Sequence, residues 1–125
     1  MSDPRQMKVL LVEENSAVRS VVRQLVMSPG TWIQECVNAA DAVAAYAASR
    51  PDCVIMGIGT KDPDGIAVSR QIKEMDPAAR IVLVSDYDDA AMRESARNAG
   101  ACGYVLKDNL LEVTGLLRIN QGEKA

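Results

Sequence analysis

Apolar residues gather in five short runs: Lys8 to Val12, Trp32 to Val37, Cys53 to Met56, Ile81 to Val84 and Gly103 to Leu106. They are continuous rather than alternating, the pattern of strands buried on both faces of a parallel sheet. The intervening segments change to helical spacing. After Asn15, a good N-cap, Val18, Val21, Val22 and Leu25 fall at i, i+3, i+4 and i+7, and Ser28-Pro29-Gly30 ends the helix. A second helix follows Asn38, with Val43 and Tyr46 on one face, and stops before Pro51 because a residue preceding proline disfavours the helical region. A third runs from about Ile66 to Met75, showing Ile66, Ser69, Ile72 and Lys73 before Asp76-Pro77. A fourth starts near Asp88 and Asp89, whose carboxylates suit a helix N-terminus, and ends at Gly100. The last spans roughly Asn109 to Gln121.

Strand and helix thus alternate through one α/β unit, with Met1 to Met7 and the final residues 123–125 expected as tails. Right-handed crossovers then give a doubly wound five-stranded parallel sheet with helices on both faces. Ligands of such sheets lie beyond the carboxyl ends of the strands. Glu13, Glu14, Gly57, Ser85 and Lys107 all fall at those ends and should converge on one crevice.

Composition narrows the functional classes. With 125 residues, 48% hydrophobic and 25% charged, the chain suits a single soluble domain with one core. No apolar run is long enough to span a bilayer and the N-terminal stretch is polar, so a cytoplasmic protein without membrane contact is expected. Cys36, Cys53 and Cys102 are widely spaced in apolar contexts, which suits reduced, buried thiols rather than disulfides; with no His and no paired Cys spacing, zinc is not expected either. A net charge of −3 without a Lys/Arg stripe argues against direct nucleic-acid binding. There is no phosphate-binding glycine loop and no nucleophile–base pair, so an enzyme or cofactor binder has little support and the expectation is no catalysis.

The acidic pair, the strand-end hydroxyl and the lysine each have a job around a phosphoryl group with Mg²⁺: carboxylates suit a hard cation, and lysine is a point charge for phosphate oxygens. In these pieces the sequence resembles the receiver domain of bacterial two-component response regulators, from Lys8 to Gly122. Val9-Leu10-Leu11-Val12-Glu13-Glu14 matches the first strand and acidic pair, and Pro51-Asp52-Cys53-Val54-Ile55-Met56-Gly57 the strand that normally ends in the phosphoacceptor. Asp64-Gly65 matches the opening of the third helix, Ile81-Val82-Leu83-Val84-Ser85 the strand ending in the switch hydroxyl, and Gly100-Ala101-Cys102-Gly103-Tyr104-Val105-Leu106-Lys107 the last strand. The ending from Lys107-Asp108 to Gly122-Glu123 is similar to regulators of the nitrate-response type, in which a DNA-binding domain follows the receiver.

The resemblance implies a flavodoxin-like fold of strand order 2-1-3-4-5, a phosphorelay role, Mg²⁺ at Glu13 and Glu14, a sensor kinase, and a protein-binding face on the fourth helix, fifth strand and fifth helix. Leu110, Leu111, Val113, Leu116, Leu117 and Ile119 make the last helix apolar on more than one side, which suits a homodimer or a partner helix. The departures are equally specific. Gly57 replaces the phosphoacceptor Asp, the loop 59–63 lacks the usual Met-Pro pair, Asp86 follows the switch hydroxyl, and Glu13 and Glu14 are each one methylene longer than the commoner Asp.

Plain readings stand beside these. Glu13 and Glu14 also suit solvated acids near a helix N-terminus; Lys107 suits a salt bridge to Glu14 or Asp86; Ser85 suits an ordinary strand-end hydroxyl; Tyr104 is either half-buried packing or a rotamer-switching aromatic. Gly57 provides close packing, provides a bulge, or is a lost Asp. Three functions follow. One is an acceptor-less receiver acting as an interaction module, with Asp86 standing in for the missing charge at Lys107. Another is a receiver phosphorylated on Asp62, Asp64 or Asp86, or the regulatory domain of a DNA-binding regulator that has lost its Asp. The third is a cofactor binder on the same scaffold.

Overall fold

A computed structural model describes residues 7–58 and 64–120. Parallel strands β1 (Met7–Val12), β2 (Thr31–Cys36), β3 (Cys53–Ile58), β4 (Ile81–Ser85) and β5 (Gly103–Leu106) form one sheet in the order β2-β1-β3-β4-β5. Between and after them lie α1 (Ser16–Val26), α2 (Ala42–Ser49), α3 (Asp64–Met75), α4 (Ala90–Asn98) and α5 (Glu112–Asn120). The expected order and alternation are therefore present.

Each strand feeds two cores because successive side chains point to opposite faces. Leu10, Val12, Val54, Met56, Ile81 and Leu83 pack with Ala42, Tyr46, Val68, Ile72 and Ala96 of α2, α3 and α4. Val9, Leu11, Cys53, Ile55, Val82, Val84 and Val105 pack with Val22 and Val26 of α1 and Val113 and Leu117 of α5. Burying such side chains on both faces is worth about 1.5–3 kcal/mol each, which explains why these strands read as uninterrupted apolar runs.

Several boundaries differ from the sequence expectation, each for a local reason. β3 continues past Met56 through Gly57 and Ile58, because both keep parallel register with Val84 and Ser85; Gly57 is thus inside the strand and forms no bulge. Asn15 caps α1 as expected, its side chain accepting from the Ala17 and Val18 amides at 2.9 and 3.0 Å. The buried face of α1, however, is Val22 and Val26 with Val18 and Leu25 partly covered, whereas Val21 is exposed. A 3₁₀ turn at Ala39–Asp41 precedes α2, and another at Lys107–Asn109 delays the start of α5 to Glu112.

Among the described side chains the breadth of apolar surface at α5 is mostly consumed inside the domain; the Ile119 side chain lies outside the description. Val113 and Leu117 are buried, Leu110 and Leu116 pack against the same core, and only Leu111 of these five is exposed, at 68%. Leu116 lies over Gly103, where a Cβ would stand 2.7 Å from its Cδ1. Of the cysteines, Cys53 is buried and Cys36 half-buried, but Cys102 is exposed because it precedes β5 rather than lying within it. Among the described residues no helix is long and apolar enough to cross a membrane.

Candidate functional site

Glu13, Gly57 and Lys107 meet at the carboxyl end of the sheet, on the face covered by α1 and α5. Alternation explains this: positions 9, 11 and 13 and positions 53, 55 and 57 continue the same faces of β1 and β3. Glu13 is fixed by its backbone, its amide donating to the Cys36 carbonyl at 3.1 Å and its carbonyl accepting from Arg19 Nη1 at 2.9 Å. Its side chain turns inward and is only 5% exposed.

The carboxylate of Glu13 occupies the space that a side chain at position 57 would take. A Cβ placed on Gly57 would collide with Glu13 Oε1, stand 2.8 Å from Glu13 Cδ and 3.3 Å from the Val12 carbonyl oxygen. A carboxylate buried this deeply needs compensation. The other oxygen, Oε2, receives the Asn15 amide at 3.0 Å and faces Lys107 Nζ at 3.5 Å. Lys107 is largely buried and also lies 3.8 Å from Asp86 Oδ2, whose own side chain is half exposed.

The five strand-end positions do not all join this cluster. Glu14 is exposed, so it is Glu13 and not Glu14 that pairs with Lys107. Asp86 contacts Lys107 as anticipated, but at the longer distance, and the nearer countercharge is Glu13. Ser85 is buried and falls, by alternation with Ile81 and Leu83, toward the opposite core; its Oγ accepts the Tyr87 amide at 3.1 Å. Tyr104 is half-buried against that same core, and its hydroxyl donates to the Tyr87 carbonyl at 2.9 Å. The Arg93 guanidinium lies 4.7 Å over the Tyr104 ring and pairs with Asp88 at 2.8 Å. Asp62 lies outside the described residues, and of Asp64 only the helical backbone is described.

Two features were not foreseen from the sequence. The plugging of the site by Glu13 is one; its only signal was a long acid and a glycine at facing strand ends. The other is a cleft of about 470 Å³ lined by Met7, Lys8, Gly30, Thr31 and Trp32. It lies at the amino ends of β1 and β2, away from the end where ligands of such sheets bind.

Mg²⁺ would need near-octahedral oxygen ligands, normally one or two carboxylates with waters and phosphate. Here one oxygen of Glu13 is engaged by Lys107 and an amide, the other lies in the space that a side chain at position 57 would take, and Gly57 offers no side-chain oxygen. Among the described residues no group of three or more His, Cys, Asp or Glu could hold a metal ion. The arrangement does not fit Mg²⁺ at Glu13 and Glu14.

Residues 9–114 match the family described as the response regulator receiver domain. The chemotaxis protein CheY of Halobacterium salinarum is 32% identical over 100 residues, covering 80% of this chain and 83% of that protein. The DNA-binding transcriptional regulator NtrC of Escherichia coli is 27% identical over 79% of this chain, but only 21% of NtrC is covered. The crystal structure of a LuxR-family two-component response regulator from an Aurantimonas species superposes with a TM-score of 0.81 at 32% identity, covering 94% of this chain and 86% of that one. With the sheet order, the strand-end lysine and the family match in agreement, the chain belongs to the response regulator receiver domain family.

Proposed function

We propose that this receiver domain works without phosphorylation, as a signalling module that binds a protein partner through the surface formed by α4, β5 and α5. The observation that supports it best is the pairing of Gly57 with Glu13. An acyl phosphate requires a carboxylate free to attack phosphorus, and position 57 has none. The carboxylate filling that space is engaged by Lys107 and the Asn15 amide, which makes it a poor nucleophile and leaves no room beside it. On this reading the domain acts by binding rather than by catalysis, and an upstream sensor kinase does not address it through position 57.

The apolar residues that the fold leaves uncovered beside these elements are Leu111, just before α5, and Tyr87, just before α4, whose carbonyl is held by the half-buried Tyr104 of β5. Occupants of two kinds suit this surface, a second copy of the chain or another signalling protein. The match to part of NtrC, named as a DNA-binding transcriptional regulator, favours as a second reading a receiver that controls such an output unit. The acidic balance of the chain assigns no nucleic-acid contact to the receiver itself.

Incubation with acetyl phosphate and Mg²⁺ followed by intact-mass measurement tests the central point. The unaltered chain should gain no phosphate, while Gly57→Asp, which must displace Glu13 to fit, should gain one. A phosphate on any carboxylate of the unaltered chain, Asp86 included, would overturn the proposal.

A further inference from the structure

The contacts that begin at Gly57 continue beyond Lys107. Asp86, the second partner of Lys107, is the first residue of the connection between β4 and α4. The remainder of that connection is tied down residue by residue. Ser85 Oγ accepts the Tyr87 amide, Tyr104 Oη donates to the Tyr87 carbonyl, Arg93 bridges the Tyr104 ring and Asp88, and Asp89 caps α4 through the Ala91 amide at 2.8 Å.

Gly57 is not required by backbone conformation. Among the described glycines a positive φ occurs only at Gly30 and Gly100, and Gly57 keeps regular strand register with Val84. What glycine supplies at this position is volume. Glutamate supplies the complementary length, since the shorter aspartate would not carry its carboxylate as far toward Gly57. Either residue alone is a defect: Gly57 with a short acid leaves a void beside Lys107, and Glu13 opposite a larger residue loses its place.

We infer that Gly57 and Glu13 form a matched pair in which the Glu13 carboxylate plugs the phosphoacceptor space, neutralises Lys107, and thereby holds the β4–α4 connection and Tyr104 in one standing arrangement. Glu13 is the positioning residue of this latch, and Lys107 is its transmitter. The inference rests on the reading of the domain as phosphorylation-independent and deepens it: the binding surface beside Tyr87 and Tyr104 is held in a single state by an internal carboxylate rather than set by an added phosphoryl group.

A double-mutant cycle on the full chain tests the pair. Gly57→Ala should lower the urea midpoint of unfolding when Glu13 is present, and lower it much less in the Glu13→Ala background, where the collision is gone. Additive losses would overturn the pairing. Glu13→Gln keeps shape and fold while removing charge, and ¹⁵N–¹H spectra then report the latch. Amide resonances of Asp86, Tyr87 and Tyr104 should move together, whereas shifts confined to the surroundings of positions 13 and 57 overturn the transmission through Lys107. The acetyl phosphate experiment separates this inference from the reading beneath it. An additive cycle in a chain that takes no phosphate removes the latch alone, and phosphate mapped to Glu13 removes both.

Discussion

Asp76 shows how much one side chain can organise at the far side of the sheet from α1 and α5. Its Oδ2 accepts the Tyr46 hydroxyl at 2.7 Å and Arg50 Nη1 at 3.3 Å, and its Oδ1 accepts the Ala78 amide at 3.1 Å. These contacts fasten the end of α3 to α2. The Tyr46 hydrogen bond, opposed by partial burial and aided by the Ala78 amide and the Arg50 charge, holds the Asp76 carboxyl below its ordinary value. A carboxyl depressed in the folded state binds its proton later than in the unfolded chain as pH falls. Its contribution is therefore present above the unfolded value, near 3.8, and is lost as pH drops through the folded one. Tyr46→Phe should lower stability at neutral pH by about 1 kcal/mol and give a shallower acid limb, followed by urea midpoints from neutral to about pH 2. An unchanged acid slope would remove the Tyr46 bond as its cause. At the alkaline end the sign reverses. Burial first, and then the Asp76 contact, push the Tyr46 phenol up, so stability should fall as pH rises past the ordinary phenol value of about 10. None of this was legible in the sequence, where Asp76-Pro77 is visible only as a helix stop and the partner is 30 residues away.

Elements were legible where local chemistry and tertiary packing agree. Asn15 as a cap, Asp89 as a cap and Gly100 with φ 95 as a helix stop are local devices, and each is where spacing put it. Which residues of a helix are covered is a tertiary matter, and there periodicity misled by one position. Val21 and Val26 both continue the apolar pattern of α1, yet the helix is rotated so that Val26 enters the core and Val21 faces solvent. The same distinction separates Leu111 from Leu117 at the other end of the chain. Leu117→Ala removes a buried side chain from the core shared with Val22 and Val105 and should cost about 2–5 kcal/mol. Leu111→Ser, at a site with no core to lose, should leave the thermal midpoint nearly unchanged, within about 0.5 kcal/mol in stability. If Leu111→Ser destabilises the isolated chain as much as Leu117→Ala, the leucine is structural and the proposed partner surface loses its most exposed apolar residue.

At the scale of the whole molecule, rules about crossovers and buried strands give a doubly wound parallel sheet with its ligand end at the strand carboxyl termini, which is why five apolar runs were enough to place the site at one end, whereas the strand order was legible only through the family resemblance. What those rules do not contain is how the space beside a strand-end glycine is filled. A sequence shows that Gly57 lacks a carboxylate; only the fold shows that Glu13 is near enough to place one beside it from the end of the neighbouring strand, with its other oxygen facing Lys107 and the Asn15 amide. This makes metal response a property of the assembled site rather than of the acidic residues taken singly. A ligand that binds only the folded state at about 100 times its dissociation constant adds roughly 2.7 kcal/mol. For a domain of this size that is a rise in thermal midpoint of roughly 10 °C. The unaltered chain should show no rise with Mg²⁺ beyond that of NaCl at matched ionic strength, the control being needed because the chain carries net charge −3. Combining Gly57→Asp with Glu13→Asp shortens the plug and places an acid at the floor, giving two carboxylates with Lys107 still at the rim. That double variant should show the Mg²⁺-specific rise. A comparable rise in the unaltered chain would mean that Glu13 leaves Lys107 for the cation at little cost, and the carboxylate would then be a mobile ligand rather than a fixed plug.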